Sequence, residues 1–424
     1  MQMIATDPDL LYFAALDRRL LDAVSGVRLL PSLSWPAEVQ RDFLANWRRG
    51  RAILPEVVYP REDYAEVQAE LSAIQHECRF AADHPVGGYI RRTAESWELA
   101  TRLLDAAGSP AISGFSEQLF GKPGDALPGG GSNNCEAAQH FIDIADELSA
   151  ELASSESDYC LSAQTLQVEL QQELDRFFVH HSISVTIDPT LTAKAAAGPT
   201  RIRLRSATAF SEYDRRQLLE HEAFVHSLTA LNGREQPYLA SMARNSPRIT
   251  GTQEGLATFA ELITGSIDIG RMKRISLRII AIDRALQGAD FIEVFRFFLD
   301  HGQTETDSFN SAARVFRGAP VGGGSAFTKD TVYLHGLLSV HTFFRWALKH
   351  RRLQLCRNLF AGKMTLHDVV ALEPWFDSGY IRAPLYLPPW VQRANGLAGT
   401  LAFSLFANRI KLDRVESWDL SFGA

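Results

Sequence analysis

Hydrophobic spacing departs from a helical rhythm in only one part of this 424-residue chain, between residues 182 and 206. There "SISVTIDP" (182–189) and "TRIRLRS" (200–206) alternate apolar and polar residues and carry β-branched side chains, the period-2 pattern of short strands. Elsewhere the apolar residues recur at helical spacing, as in "PDLLYFAALDRRLLDAV", "EDYAEVQAELSAIQHECRFA" and "SAQTLQVELQQELDRFF". Two short strands among many helices predict an α+β, mainly α protein with a small β-sheet near its centre. A Gly/Pro-rich loop at 121–134 divides an N-terminal helical region, 1–120, from a larger region, 135–424.

Composition narrows the function classes. Hydrophobic residues make up 46% and charged residues 22%, an ordinary globular balance, and the net charge of −7 offers no basic footprint for nucleic acid or an anionic membrane. The first residues lack the positive and apolar regions of a secretory signal, and "GLAGTLAFSLFA" near the end is too short to span a bilayer. Cys78, Cys135, Cys160 and Cys356 show no paired spacing, so they read as small buried residues rather than disulfides or a zinc-thiolate site. The expectation is a cytoplasmic protein without nucleic-acid or membrane partners.

The stretch "LLEHEAFVHSLTALNG" (218–233) carries His221 and His226 with Glu222 beside the first. Zinc peptidases usually present H-E-x-x-H on a helix, and here one residue is added. Residues five apart differ by roughly 140° around a regular α-helix, against roughly 40° for four apart, so the two histidines would not share a face. A π-bulge absorbs one residue and closes that gap, and such bulges gather at functional sites. Ser211 with Asp214 can form a capping box at the start of this helix, and Gly233 reads as its stop. On these residues alone, a metal site and a pair of half-buried structural histidines both remain open.

Two further stretches bear on that choice. In "GTQEGLATFAELITG", Thr250 or Thr252 can start a helix that places Glu254 in its first turn and Glu261 two turns on, on the same face. A carboxylate from a following helix is the usual third ligand of the two-histidine, one-glutamate zinc class. Gly255 costs helix stability, which suggests that something must approach closely there, either the metal-bearing helix or a substrate backbone. In "RVFRGAPVGGGSAFTKDTVYLHGLL" (314–338), Arg314, Arg317, Lys329, Tyr333 and His335 surround a Gly-rich loop leading into a helix. Lys329 lies near the helix start, against the macrodipole.

With these motifs in order, the chain resembles the bacterial QEGLA-motif proteins, also labelled flavohaemoglobin-expression-modulating, and their vertebrate relatives, the microtubule-associated tyrosine carboxypeptidases. "HEAFVH", "QEGLA", "RVFRG" and "FTKDTVYLHG" carry the resemblance, which runs from about residue 180 to 390. It implies a zincin-like (gluzincin) metallopeptidase core in 135–424. It also implies one Zn2+ per chain on His221, His226 and Glu254, with Glu222 as general base. Tyr333, then His335, are the candidate donors to the carbonyl oxyanion. A carboxypeptidase must read a terminal carboxylate of its peptide or protein partner, and Arg314, Arg317, Lys329 and, more weakly, Arg248 are the candidate readers. The strand at 200–206 is expected to be an edge that pairs with extended substrate. A non-catalytic peptide- or protein-binding regulator and a zinc hydrolase of small amides are the alternatives.

Overall fold

A computed structural model describes residues 8–79, 84–152, 161–189, 191, 194–206, 208–410 and 415. Cys160 lies outside them. The architecture is mainly helical with a small sheet, as the hydrophobic spacing predicts. Among the described residues no helix is long and apolar enough to cross a membrane.

The sheet is more elaborate than the two predicted strands. We number its strands β1 (Leu161–Ser162), β2 (Ser184–Asp188), β3 (Ala195–Gly198), β4 (Arg201–Arg205) and β5 (Ala209–Phe210). β2, β4 and β3 form a three-stranded sheet in that order, with β2 parallel and β3 antiparallel to β4. β1 and β5 make a separate antiparallel pair. The alternation in β4 is real: Ile202 and Leu204 are buried, and Val185 of β2 is buried opposite Ile202. However, β4 is the central strand, paired on both sides, so the expectation that it forms a substrate-facing edge is corrected. The edges are β2 and β3, and the one beside the histidines is β3, whose "AAAG" has no β-branched alternation to announce a strand.

Helix Glu212–Gln217 begins with the predicted capping box, Ser211 accepting from the Asp214 amide and Asp214 from the Ser211 amide. It continues without a break into a π-helical segment, Leu218–Ser227, and then helix Leu228–Arg234. Gly233 does not stop this helix. It lies inside it, and a Cβ there would meet the Met242 carbonyl oxygen at 2.2 Å, so the glycine serves close packing.

Helix Thr250–Ile263 packs across helix Val332–Lys349, and both cross at glycines. A Cβ on Gly255 would lie 2.3 Å from the carbonyl carbon of Gly336, and one on Gly336 would lie 2.4 Å from the Gly251 carbonyl oxygen. The space that Gly255 leaves is therefore taken by this neighbouring helix, not by the His221 helix or a substrate. The contact ties the "EGLA" turn to the "YLHG" turn and sets Glu254 and Tyr333 in register.

One hydrophobic core cluster runs from Leu10 in the first helix to Leu401 in the last and includes residues of the sheet, the π-helical segment and both crossing helices. A second, aromatic cluster joins Phe43 and Leu44 to Phe291, Phe295, Phe298 and Phe309. The 121–134 segment leads from helix Ile112–Phe120 into helix Asn134–Leu152, with Ala126 bridged to Asn133.

Candidate metal centre and its clefts

The extra residue between the histidines is absorbed by the π-helical segment. Its hydrogen bonds skip one residue more than an α-helix, so side chains five apart stack. His221 and His226 consequently face each other, with ring centroids 4.9 Å apart. Glu254, from the second turn of helix Thr250–Ile263 and not the first turn expected, points Oε2 between them, 3.6 Å from Nε2 of each. Donor atoms about 2.0–2.1 Å from a shared tetrahedral zinc lie roughly 3.3 Å apart, so this convergence fits such an ion with small adjustment. Ligating atoms of Glu222 also lie within 4.8 Å of those of both histidines. Glu254 is better placed than Glu222 to complete a site with the two histidines, because its Oε2 is equidistant from the two Nε2 atoms.

The surroundings fix these groups. Nδ1 of His221 is 2.6 Å from Oε1 of the fully buried Glu261. A proton placed on Nδ1 by that contact leaves the Nε2 lone pair facing Glu254, the arrangement a metal-binding histidine needs. Arg271 in turn bonds Glu261 at 3.2 and 3.3 Å. Burial works against the Glu261 carboxylate, but Arg271 and His221 outweigh it and hold its pKa below the usual value. Burial likewise opposes a charge on His221, yet Glu254, Glu261 and Glu222 carry its pKa well above that of ordinary imidazole. A site so rich in carboxylate favours a cation, whether a proton or a metal. Glu254 is half-buried; desolvation opposes its charge too, but Lys329, 3.1 Å from its Oε1, together with the histidines keeps it well below the usual carboxylate range.

The cluster stands between two clefts. One, of about 360 Å³, is lined by His221, Glu222, His226, Gln253, Glu254, Lys329, Tyr333 and Lys363, together with Leu29, Trp97 and Phe120 from the N-terminal region and Ala197 and Gly198 of β3. The other, of about 920 Å³, shares His221, Glu222 and Tyr333 and continues over Arg205, Arg271, Arg274, Arg278 and Arg314.

Six of the ten residues singled out in the sequence line the smaller cleft: His221, Glu222, His226, Glu254, Lys329 and Tyr333. The other four do not. His335 follows Tyr333 by two positions, which turns it to another side of the helix, where Nε2 lies 3.3 Å from the Ala126 carbonyl oxygen. Arg248 lies 2.7 Å from Asp368. Arg314 grips Asp330 at 2.6 and 2.7 Å, and Arg317 lies with it on a third basin beyond Arg278. The proposed carboxylate readers thus do not converge, and Lys329, the one within the smaller cleft, is already paired with Glu254. Sequence reasoning missed Arg271 and Lys363. Arg271 carries no motif, but the isolated lysine in the apolar run "LFAGKM" was a usable signal.

Fold and site together define the class: a mainly helical protein with a small sheet, whose paired histidines and a neighbouring-helix glutamate converge where two clefts meet. A family model described as microtubule-associated tyrosine carboxypeptidase matches residues 41–409, and the chain belongs to that family. No curated protein matches it.

Proposed function

We propose that this chain is a zinc-dependent carboxypeptidase that removes a C-terminal residue from a peptide or protein, on a zincin-like core of the gluzincin type. The observation that carries the reading is the convergence of His221, His226 and Glu254 on one point, with Glu222 beside it. His221, His226 and Glu254 would hold the ion. When bound, zinc supplies the Lewis acidity that makes water a nucleophile near neutral pH and polarises a carbonyl.

The chain's own residues do the rest. Glu222 adjoins His221 and faces both clefts, so it can take the proton of the attacking water and pass it to the leaving amine. Tyr333, on the walls of both clefts, donates a hydrogen bond to the carbonyl oxygen as charge develops there. Glu261 holds the His221 ring, and Lys329 balances the charge of Glu254. β3 is paired to β4 on one side, and among the described residues no strand pairs its other side, which leaves an edge beside the smaller cleft for extended substrate. A binder without catalysis has no use for an uncommitted carboxylate beside its metal ligand, so Glu222 favours an enzyme over a regulator.

The family's name supplies the residue to test first. The purified protein should contain one zinc per chain by elemental analysis and release tyrosine from tyrosine-terminated peptides. A chelator should abolish release, and zinc should restore it. Glu222→Gln should keep the zinc and lose turnover by several orders of magnitude, while His221→Ala should lose the zinc. Undiminished turnover by Glu222→Gln would remove the general-base role.

A further inference from the structure

Three of the cations that the sequence pointed to have a carboxylate partner in the protein, Lys329 with Glu254, Arg248 with Asp368 and Arg314 with Asp330. Lys363 differs. Its side chain is buried, with the residue 4% exposed, yet among the described residues no carboxylate lies within ion-pair distance. Its backbone is pinned to the Met242 carbonyl oxygen, and its ammonium has one long contact, 3.4 Å to Oε1 of Gln253. An ammonium carries three donors, so most of its capacity is unused. Gln253 is just as unusual. Its Oε1 accepts from Thr229 at 2.9 Å, while its buried Nε2 has no acceptor. Both side chains line the smaller cleft, beside the histidine–glutamate cluster.

A buried charge and a buried amide without partners are each costly, and the charge more so. Burial lowers the Lys363 pKa to about 8, against the pull of Glu254 and Glu222. A ligand that brings one negative charge and two acceptor oxygens would satisfy both donors at once. A peptide's terminal carboxylate is such a group, and geometry puts it here. Consecutive Cα atoms are about 3.8 Å apart, so the group that reads the terminus must lie within one residue of the bond being cut. Lys363 lines the smaller cleft with Glu222 and Tyr333, whereas Arg248 and Arg317 line neither cleft of the centre, and Arg314, on the larger one, is already held by Asp330. We infer that Lys363 and the amide of Gln253 form the subsite that binds the α-carboxylate of the substrate's C-terminal residue. This rests on the carboxypeptidase reading and replaces the arginines of the 314–317 segment as the groups that read the terminus.

The test measures binding as well as turnover. Zinc-loaded Glu222→Gln protein, which holds substrate without cutting it, is titrated with a tyrosine-terminated peptide and with the same peptide amidated at its C-terminus. The free acid should bind tighter by about 10- to 100-fold, the scale of one charge-assisted hydrogen bond in a buried site. Adding Lys363→Met should erase that preference, leaving zinc content and affinity for the amide unchanged. Lys363→Arg should restore part of it. A preference that survives Lys363→Met overturns the subsite while the carboxypeptidase reading stands. Equal binding of acid and amide by the Lys363 protein overturns the carboxypeptidase reading itself. If Lys363→Met does not fold, the unsubstituted protein is treated with the peptide activated as a C-terminal N-hydroxysuccinimide ester. Its acyl group should pass to the Lys363 amine, releasing N-hydroxysuccinimide, and peptide mapping should find it there. Acylation confined to other lysines overturns the assignment.

Discussion

Glu261 shows how much of the proposed metal centre lies behind the residues that would hold the ion. It faces no cleft and is fully buried, yet its carboxylate meets the ring of His221 at 2.6 Å and is itself held by Arg271. The pair sets which nitrogen of His221 carries the proton, and thereby which lone pair is offered to an ion. Glu261→Gln keeps the shape of the side chain and removes its charge. Zinc affinity, measured by competition with a chromophoric chelator, should fall by about 10- to 100-fold, the usual effect of losing such a supporting carboxylate. Unaltered affinity would mean that the ring is positioned by packing alone. His221, Glu222, His226 and Glu254 were legible as site candidates because their chemistry is tied to short spacings. Arg271 was not, because it belongs to no motif although it follows Glu261 by only ten positions, and Lys363 was marked only by its place in an apolar run, 110 positions from Gln253. The basic residues of the third motif misled for a related reason. Arg314 and Lys329 look like substrate anchors until Asp330 and Glu254 are seen to occupy them.

The element that decides the site is the pairing of a widened helix with a helix–helix crossing. Leu218–Ser227 takes up one extra residue and brings its two histidines to a common face. Helix Thr250–Ile263 must then stand close enough for Glu254 to reach between them, and its position is set on its other side by Val332–Lys349. That is why glycine occupies both 255 and 336, where a methyl group would overlap backbone atoms. Gly255→Ala should destabilise the fold by about 1–3 kcal/mol, the range for overpacking in a close-packed core, as read from the denaturation midpoint. Gly336→Ala should act alike, and the two together should cost less than their sum, since the first already separates the helices. Additive effects would show that the crossing tolerates each methyl independently. The spacing of glutamate to glycine was visible in the sequence, but the partner that fills the space was not, because Gly336 lies 81 positions away from Gly255. β3 escaped for a different reason. Its alanines carry no period-2 signal, and only the pairing with β4 makes it a strand.

At the scale of the molecule, the sequence drew a boundary at the Gly/Pro-rich 121–134 loop. The packing bears on what that boundary can mean. Leu10, Phe13, Leu71, Ile90 and Leu103 belong to the same hydrophobic cluster as Leu204, Val225, Leu256 and Phe344, so the N-terminal helices help build the core that supports the site. Hydrogen bonds cross the boundary as well. Asp17 accepts from the Ser241 amide at 2.9 Å, and Ser116 bonds the amide of Thr328 at 2.8 Å, next to Lys329. Leu29, Trp97 and Phe120 also line the cleft that would hold the leaving residue. Cutting the chain at the loop would expose buried apolar surface on both pieces, leave Ser241 and Thr328 short of partners, and open the cleft to water. A protein comprising residues 121–424 should therefore show no cooperative unfolding transition and bind zinc without releasing tyrosine. Adding residues 1–120 as a separate chain should restore a cooperative transition if the pieces reassemble through the shared core. Cooperative unfolding and full activity of 121–424 alone would establish that the catalytic region is complete without its N-terminal helices.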